Sequence, residues 1–244
     1  MLAAISLRAM LARLTCSGFN VEAHWRQALG TATATRELAP HAGLDAGEAF
    51  LAGLLHDAGQ LALGLFHPQL AARTLALSRD LDIEPRAAEL QILGVGHDEV
   101  GAKLAQHWHL PASIVAAIAG HHAQPAPEPG DRLSLAALVH VADVMAHALD
   151  LSQDPHEAVP PLDAASWQAL RLSDDSVLRA CSHAPNRALA SWRLPPRKSR
   201  ATWRSSACAS EGIGRWGRSL HARLSRRAGG HRSRAELHSA RVGR

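Results

Sequence analysis

An imidazole and a carboxylate stand side by side at His56-Asp57, inside the segment Leu54-Leu55-His56-Asp57-Ala58-Gly59. The pair closes an apolar run, where an ionisable group is expensive to bury unless it is paired or metal-bound. Further along, His97 stands at the mouth of a helical segment, His121-His122 ends another, and Asp143 interrupts the apolar stretch Leu138-Val139-His140-Val141-Ala142-Asp143-Val144-Met145. Imidazole nitrogen and carboxylate oxygen together suit Mn, Fe, Zn or Mg. The set His56, Asp57, His97, His121, His122 and Asp143 would serve a one- or two-metal hydrolase by lowering the pKa of a bound water, and the chemistry it supports is metal-assisted phosphoester cleavage. Any one helical His is more often a surface or helix-terminal group, as His121 and His122 would be at a helix C-terminus. The joint occurrence carries the weight, with Asp143 the hardest member to assign to anything bland.

The elements that must position these residues are helices. Residues 21–39 read as a helix ending before Pro40 and Gly43, and Asp45 with Glu48 makes a capping-box start for the helix that leads to His56-Asp57. Pro68, Pro85 and Pro111 mark three more helix starts, since proline is pre-organised for the first helical position. Segments 86–93, 98–108, 111–121 and 131–149 follow, the last two separated by the Pro-rich loop 123–130, and an amphipathic helix is expected over 163–183. Residues 1–15 carry Leu2, Ile5, Met10 and Leu14 at helical spacing.

Leu and Ala dominate, Tyr is absent and Phe scarce; this composition favours helix over strand and predicts an all-α fold. The formal charge of +4 conceals two different stretches. Residues 1–190 hold 12 basic and 20 acidic side chains, whereas 191–244 hold 14 and 2. A nucleic-acid argument would therefore rest on the tail alone. From Ser191 onward Arg is the commonest residue and no apolar period is sustained, so a packed core is not expected and 184–244 reads as a disordered basic tail. The three Trp scattered there among Arg and Ser favour out-of-frame sequence over a nucleic-acid contact. Cys16, Cys181 and Cys208 form no CxxC pattern, the N-terminus lacks a secretory apolar region, and no run approaches the roughly 20 apolar residues of a membrane helix. A cytoplasmic location with no membrane partner is the expectation.

Four ordered segments resemble the HDOD domain, a mostly bacterial signalling relative of the HD phosphohydrolases and HD-GYP phosphodiesterases. They are Gly-Leu-Leu-His-Asp-Ala-Gly (53–59), Gly-His-Asp-Glu-Val-Gly-Ala-Lys-Leu-Ala-Gln-His-Trp-His-Leu-Pro (96–111), Ile-Val-Ala-Ala-Ile-Ala-Gly-His-His (114–122) and Leu-Val-His-Val-Ala-Asp-Val (138–144). The resemblance implies an irregular all-α bundle of the HD superfamily over residues 1–183. It also implies that His56 and Asp57 occupy the metal-pair position, with His97, His121, His122 and Asp143 where relatives place further ligands.

The departures matter as much. Gln27 stands where the relatives' earlier helix supplies a His ligand, and His24, one turn back, is displaced by about 4.5 Å along the helix axis and is not expected to substitute. Gln60 stands where catalytic relatives carry a phosphate-binding Lys, which removes electrostatic stabilisation of a transferring group. The GYP signature after His122 is absent. The helices that normally precede residues 3–9 are missing too, so a fragment of a longer domain, with apolar faces exposed or met by a partner, is expected. The leading expectation is a non-catalytic signalling module that binds regulatory proteins or a small ligand, with a divalent metal (Fe, Mn, Zn or Mg) bound or lost. The alternative is a metal-dependent phosphohydrolase built on the retained His/Asp cluster. Non-specific nucleic-acid binding through the tail ranks last.

Overall fold

Asn20 begins the first helix by accepting a hydrogen bond from the Ala23 N–H on its side chain, and α1 then runs Val21–Leu38. In this computed structural model the described residues are 16–122, 134–154 and 159–191. The expected helix at 1–15, the loop at 123–130 and most of the basic tail lie outside them. The chain divides after Ser191, and the first unit holds every element discussed below.

Asp45 caps α2 (Ala46–Leu55) by accepting from the Glu48 N–H at 2.7 Å, as the capping pattern predicts. The backbone turns at His56-Asp57 and resumes as α3 (Ala58–Phe66). Pro68 and Pro85 open α4 (Pro68–Leu81) and α5 (Pro85–Leu93), while α6 (His97–His107) follows the left-handed Gly94. Pro111 sits one position before α7 (Ala112–Gly120) rather than inside it. Ser134 caps α8 (Leu135–Ala148) through the Ala137 N–H.

The single helix expected at 163–183 is two. Helix α9 (Ala164–Leu170) ends at Arg171 in the left-handed region (φ 46°), and α10 (Asp174–Ser191) continues past residue 183. All regular structure among the described residues is helical, as composition predicts.

α8 is the central element, with Leu135 and every residue from Ala137 to Ala146 buried. Leu138, Val139 and Val141 pack with Leu38, Ile114, Ile118 and Leu170 in the main core. Burying each such side chain contributes about 1.5–3 kcal/mol. α1 packs against α2, α8 and α10. Its approach to α2 is close, since a Cβ on Gly53 would lie 2.9 Å from the Ala32 Cα. These contacts bring His56, at the end of α2, against Asp143 on α8.

The stretch Ala46–Phe66 reaches a mean hydropathy of 1.3 and is long and apolar enough by composition to cross a membrane, contrary to the expectation that no run is. The turn at His56-Asp57 divides it into α2 and α3, and His56 within it is fully buried among polar partners. A break in the helix with a buried ionisable pair at its centre fits a core element rather than a continuous span.

Candidate metal centre

Three histidines present the same nitrogen to the same carboxylate, and a hydrogen bond at Nδ1 fixes each ring. His56 Nδ1 lies 2.8 Å from the Gly53 carbonyl oxygen, one turn back on α2. His121 Nδ1 lies 2.7 Å from the Ile118 carbonyl at the end of α7. His97 Nδ1 lies 2.7 Å from the Glu89 carboxylate on α5, and the same oxygen accepts the His97 backbone N–H at 2.7 Å. A carbonyl accepts only, so Nδ1 of His56 and His121 must carry the proton and donate. That leaves Nε2 as the inward-facing lone pair in each neutral ring.

These Nε2 atoms converge on Asp57. Its Oδ1 lies 3.1 Å from His97 Nε2 and 3.4 Å from His121 Nε2, and its Oδ2 lies 3.4 Å from His56 Nε2. His122 completes the group with Nε2 2.8 Å from His97 Nε2. Donor atoms of Asp57, His97, His121 and His122 all fall within 4.8 Å of one another. Ligands on opposite sides of a first-row ion bound at about 2.1 Å are separated by ~4.2 Å, so closure on an ion needs only small side-chain shifts.

The fit is chemical as well as geometric. Asp57 Oδ1 and His121 Nε2 are buried and make no well-formed hydrogen bond with the protein, and such atoms call for a ligand or water. The Glu89–His97 contact is the carboxylate support that metal-bound imidazoles commonly have. His140 is the contrast. Its Nδ1 lies 2.8 Å from the His121 carbonyl and its Nε2 accepts the Asp163 N–H at 3.0 Å, so both nitrogens are used in joining α7, α8 and α9.

On the other face of Asp57 the second half of the sequence-predicted set is engaged with itself. Asp143 Oδ1 receives Gln27 Nε2 at 2.9 Å and Thr31 Oγ1 at 3.3 Å, with His56 Nε2 at 3.1 Å and His147 Nε2 at 3.4 Å. The structure therefore brings all six predicted residues into one cluster but divides them. Asp57, His97, His121 and His122 form the open group, and His56 and Asp143 are held by hydrogen bonds and ion pairs.

Electrostatics follow the same division. Burial disfavours the charged form of His56, but the Asp57 and Asp143 carboxylates outweigh it and push the imidazole up to about 9. Burial likewise opposes charge on His97, and Glu89 with Asp57 overrides it and holds the ring well above its usual value. Against burial, His56 and His97 hold Asp57 well below the carboxylate range, and His147 and His56 do the same for Asp143. Burial prevails at His121, which is lowered, and at His122, pushed down to about 2 with help from His121 and His97. In the metal-free protein, protons on His56 and His97 stand in for a cation's charge.

Gly59 makes the approach of α3 to α6 possible, for a Cβ there would fall 1.9 Å from the His97 carbonyl oxygen. Sequence reasoning passed over three partners. Glu89 is 5% exposed in α5 and is recognisable only once α5 is known to reach His97. His147 follows Asp143 by one helical turn, a spacing that could have revealed it. His24, discounted as a ligand, is pushed down to about 4 by burial, which outweighs the pull of the Asp57 carboxylate.

The HDOD domain family profile matches residues 1–124. A protein of Treponema pallidum (strain Nichols), itself uncharacterized, is 32% identical over 134 residues, 54% of this chain and 25% of its own length. The crystal structure of an HDOD domain protein of unknown function from Geobacter sulfurreducens aligns with a TM-score of 0.61 at 24% identity, over 72% of this chain and 65% of that one. The MmoQ response regulator of Methylococcus capsulatus aligns with a TM-score of 0.54 at 25% identity, over 68% and 63%. The chain thus spans about a quarter of the curated relative and under two thirds of these two solved proteins. With its HisAsp turn, its all-helical fold and a profile match over half its length, this chain belongs to the HDOD domain family.

Proposed function

We propose that this chain is a regulatory HDOD module of a signalling system, carrying a divalent metal centre on Asp57, His97, His121 and His122 and acting through binding to protein partners or a small ligand rather than by hydrolysis. The observation that supports the metal centre is the convergence of the fixed His97 and His121 Nε2 atoms on Asp57 Oδ1, which has no well-formed hydrogen bond of its own. Fe, Mn or Zn suits this donor set, and a bound ion would supply Lewis acidity and a lowered pKa for its water.

The lack of a cation for phosphate argues against turnover. Gln60 lies in the first turn of α3, just after His56-Asp57, and among the described residues no Lys or Arg forms an ion pair with Asp57, His97, His121 or His122. At the position of Gln60 a phosphodiester would meet a neutral amide, which supplies far less stabilisation to developing charge than a fixed ammonium. The likeness to a response regulator points the same way.

Elemental analysis of the purified chain together with a phosphodiesterase assay on bis(p-nitrophenyl) phosphate tests the reading. Stoichiometric metal, lost in His97→Ala, with no hydrolysis above the metal-containing buffer is the expected result. Hydrolysis that disappears in both His97→Ala and Asp57→Ala would establish the phosphohydrolase alternative, which the retained cluster keeps in view.

A further inference from the structure

We infer that the cluster takes one divalent ion and not two, because the Gln27 side-chain amide occupies Asp143 Oδ1, the oxygen that a second ion beside His56 and Asp57 Oδ2 would need. This rests on the metal-centre reading above, and its test separates the two. Asp57 faces His97 and His121 through Oδ1 and His56 through Oδ2, so its geometry alone would suit a pair of ions sharing one carboxylate. The difference lies in what each side still lacks.

On the His97/His121 side, buried donor atoms are left without well-formed hydrogen bonds. On the His56/Asp143 side the acceptor is saturated. Four donors crowd Asp143 Oδ1, and the Gln27 amide nitrogen is pinned twice, to Oδ1 at 2.9 Å and to the Asp143 backbone carbonyl at 3.3 Å. An ion bound to Asp143 Oδ1 would have to displace that amide and leave buried N–H groups without acceptors. Turning the amide over offers no escape, because Oε1 would then face two oxygens. The present orientation leaves Gln27 Oε1 buried without a partner, which shows that contact with Asp143 outweighs satisfaction of the carbonyl end. The amide N–H groups stand in for the second cation.

The experiment is a metal count on the full chain. Protein stripped with chelator is incubated with Zn2+ or, separately, Mn2+, freed of excess by gel filtration and analysed for metal per chain, for the wild type, Gln27→Glu and Asp143→Asn. The Glu variant places a carboxylate oxygen about 2.9 Å from Asp143 Oδ1, and two buried carboxylates at that distance must share a cation or a proton. One equivalent is expected for the wild type and two for Gln27→Glu. Asp143→Asn should keep its single ion with less than the tenfold loss that follows from disturbing a ligand's own support.

Two equivalents on the wild type would overturn this inference and leave the metal centre standing, whereas none would overturn both. A folded Gln27→Glu that still binds one ion also overturns it. Should that variant fail to fold, Asp143→Asn decides the matter, because loss of the ion there would make Asp143 a ligand.

Discussion

Glu89 holds His97 by two contacts of 2.7 Å, one to the backbone N–H that opens α6 and one to Nδ1 of the ring. A single carboxylate on α5 thereby sets both where α6 begins and which nitrogen of His97 faces Asp57. The Arg86–Asp98 ion pair at 2.8 Å ties the same two helices one turn further out. The orientation of His97 is therefore a property of the α5–α6 junction and is built before any ion arrives.

Glu89→Gln should lower metal affinity by about 10- to 100-fold while the far-UV circular dichroism stays at the wild-type level. An amide oxygen can take the place of Oε2, which accepts both hydrogen bonds, so the helix start survives and the ring loses its anionic support. Unchanged affinity by competition with a chromogenic chelator would mean that Glu89 only caps α6.

Gly59→Ala tests the closeness of α3 and α6. The added methyl would meet the His97 carbonyl at 1.9 Å and the Gly101 nitrogen at 2.8 Å, both backbone atoms that cannot rotate away. A loss of about 3 kcal/mol or more in denaturant unfolding is expected, together with weaker metal binding as Asp57 moves from His97. Wild-type stability would show that the helices do not meet there.

Helix ends were legible wherever a residue announces its own backbone chemistry. Asp45, Pro68, Pro85 and Gly94 did so, and the predicted boundaries fall within a residue or two of those observed. Arg171 gave no such sign. It ends α9 in a left-handed conformation that glycine or asparagine usually takes, and its long side chain fits a helical pattern equally well. The six metal candidates were legible as a set because polar groups on apolar helices need partners. Which of them keep a donor atom without a hydrogen bond depends on Gln27 and Thr31, one turn apart on α1 and both donating to Asp143. That pairing spans more than a hundred residues and has no local trace.

The stability of the metal-free protein should peak close to the ordinary imidazole value and fall on the alkaline side, with His56 and His97 both contributing to that fall. The folded value of His56, about 9, lies above the ordinary imidazole value of ~6.5. The resulting stabilisation, on the order of 3 kcal/mol, is fully present below ~6.5 and lost as pH rises through about 9. Asp57 and Asp143 are lowered, so their contribution is present above ~3.9 and lost as pH falls. His122, at about 2, and His24, at about 4, add to the acid-side loss because the unfolded imidazoles take up protons below ~6.5. Tyr is absent, so no phenol blurs the alkaline limb. Thermal melts from pH 5 to 10 in chelator should place the maximum near pH ~6.5, and His56→Gln should flatten the fall toward pH 10. An alkaline limb unchanged in that variant would mean that His56 is neutral in the folded protein.

His121 and His140 separate a ligand from a structural histidine within one polar network. The His121 carbonyl lies 2.8 Å from His140 Nδ1, while its own Nε2 faces Asp57 without a well-formed hydrogen bond. His140→Ala leaves the Asp163 N–H without its acceptor and opens a cavity beside α8, so it should destabilise the fold by about 2–4 kcal/mol. The bound ion should remain, because both nitrogens of His140 are spent on the backbone. His121→Ala should do the reverse, removing the ion with a smaller change in metal-free stability, since the ring it deletes offers one unsatisfied nitrogen to a buried carboxylate. Metal content and denaturant midpoints measured on the two variants in parallel decide the assignment. Loss of metal in His140→Ala at full structure would mean that the ion is held from the α8 side of the cluster.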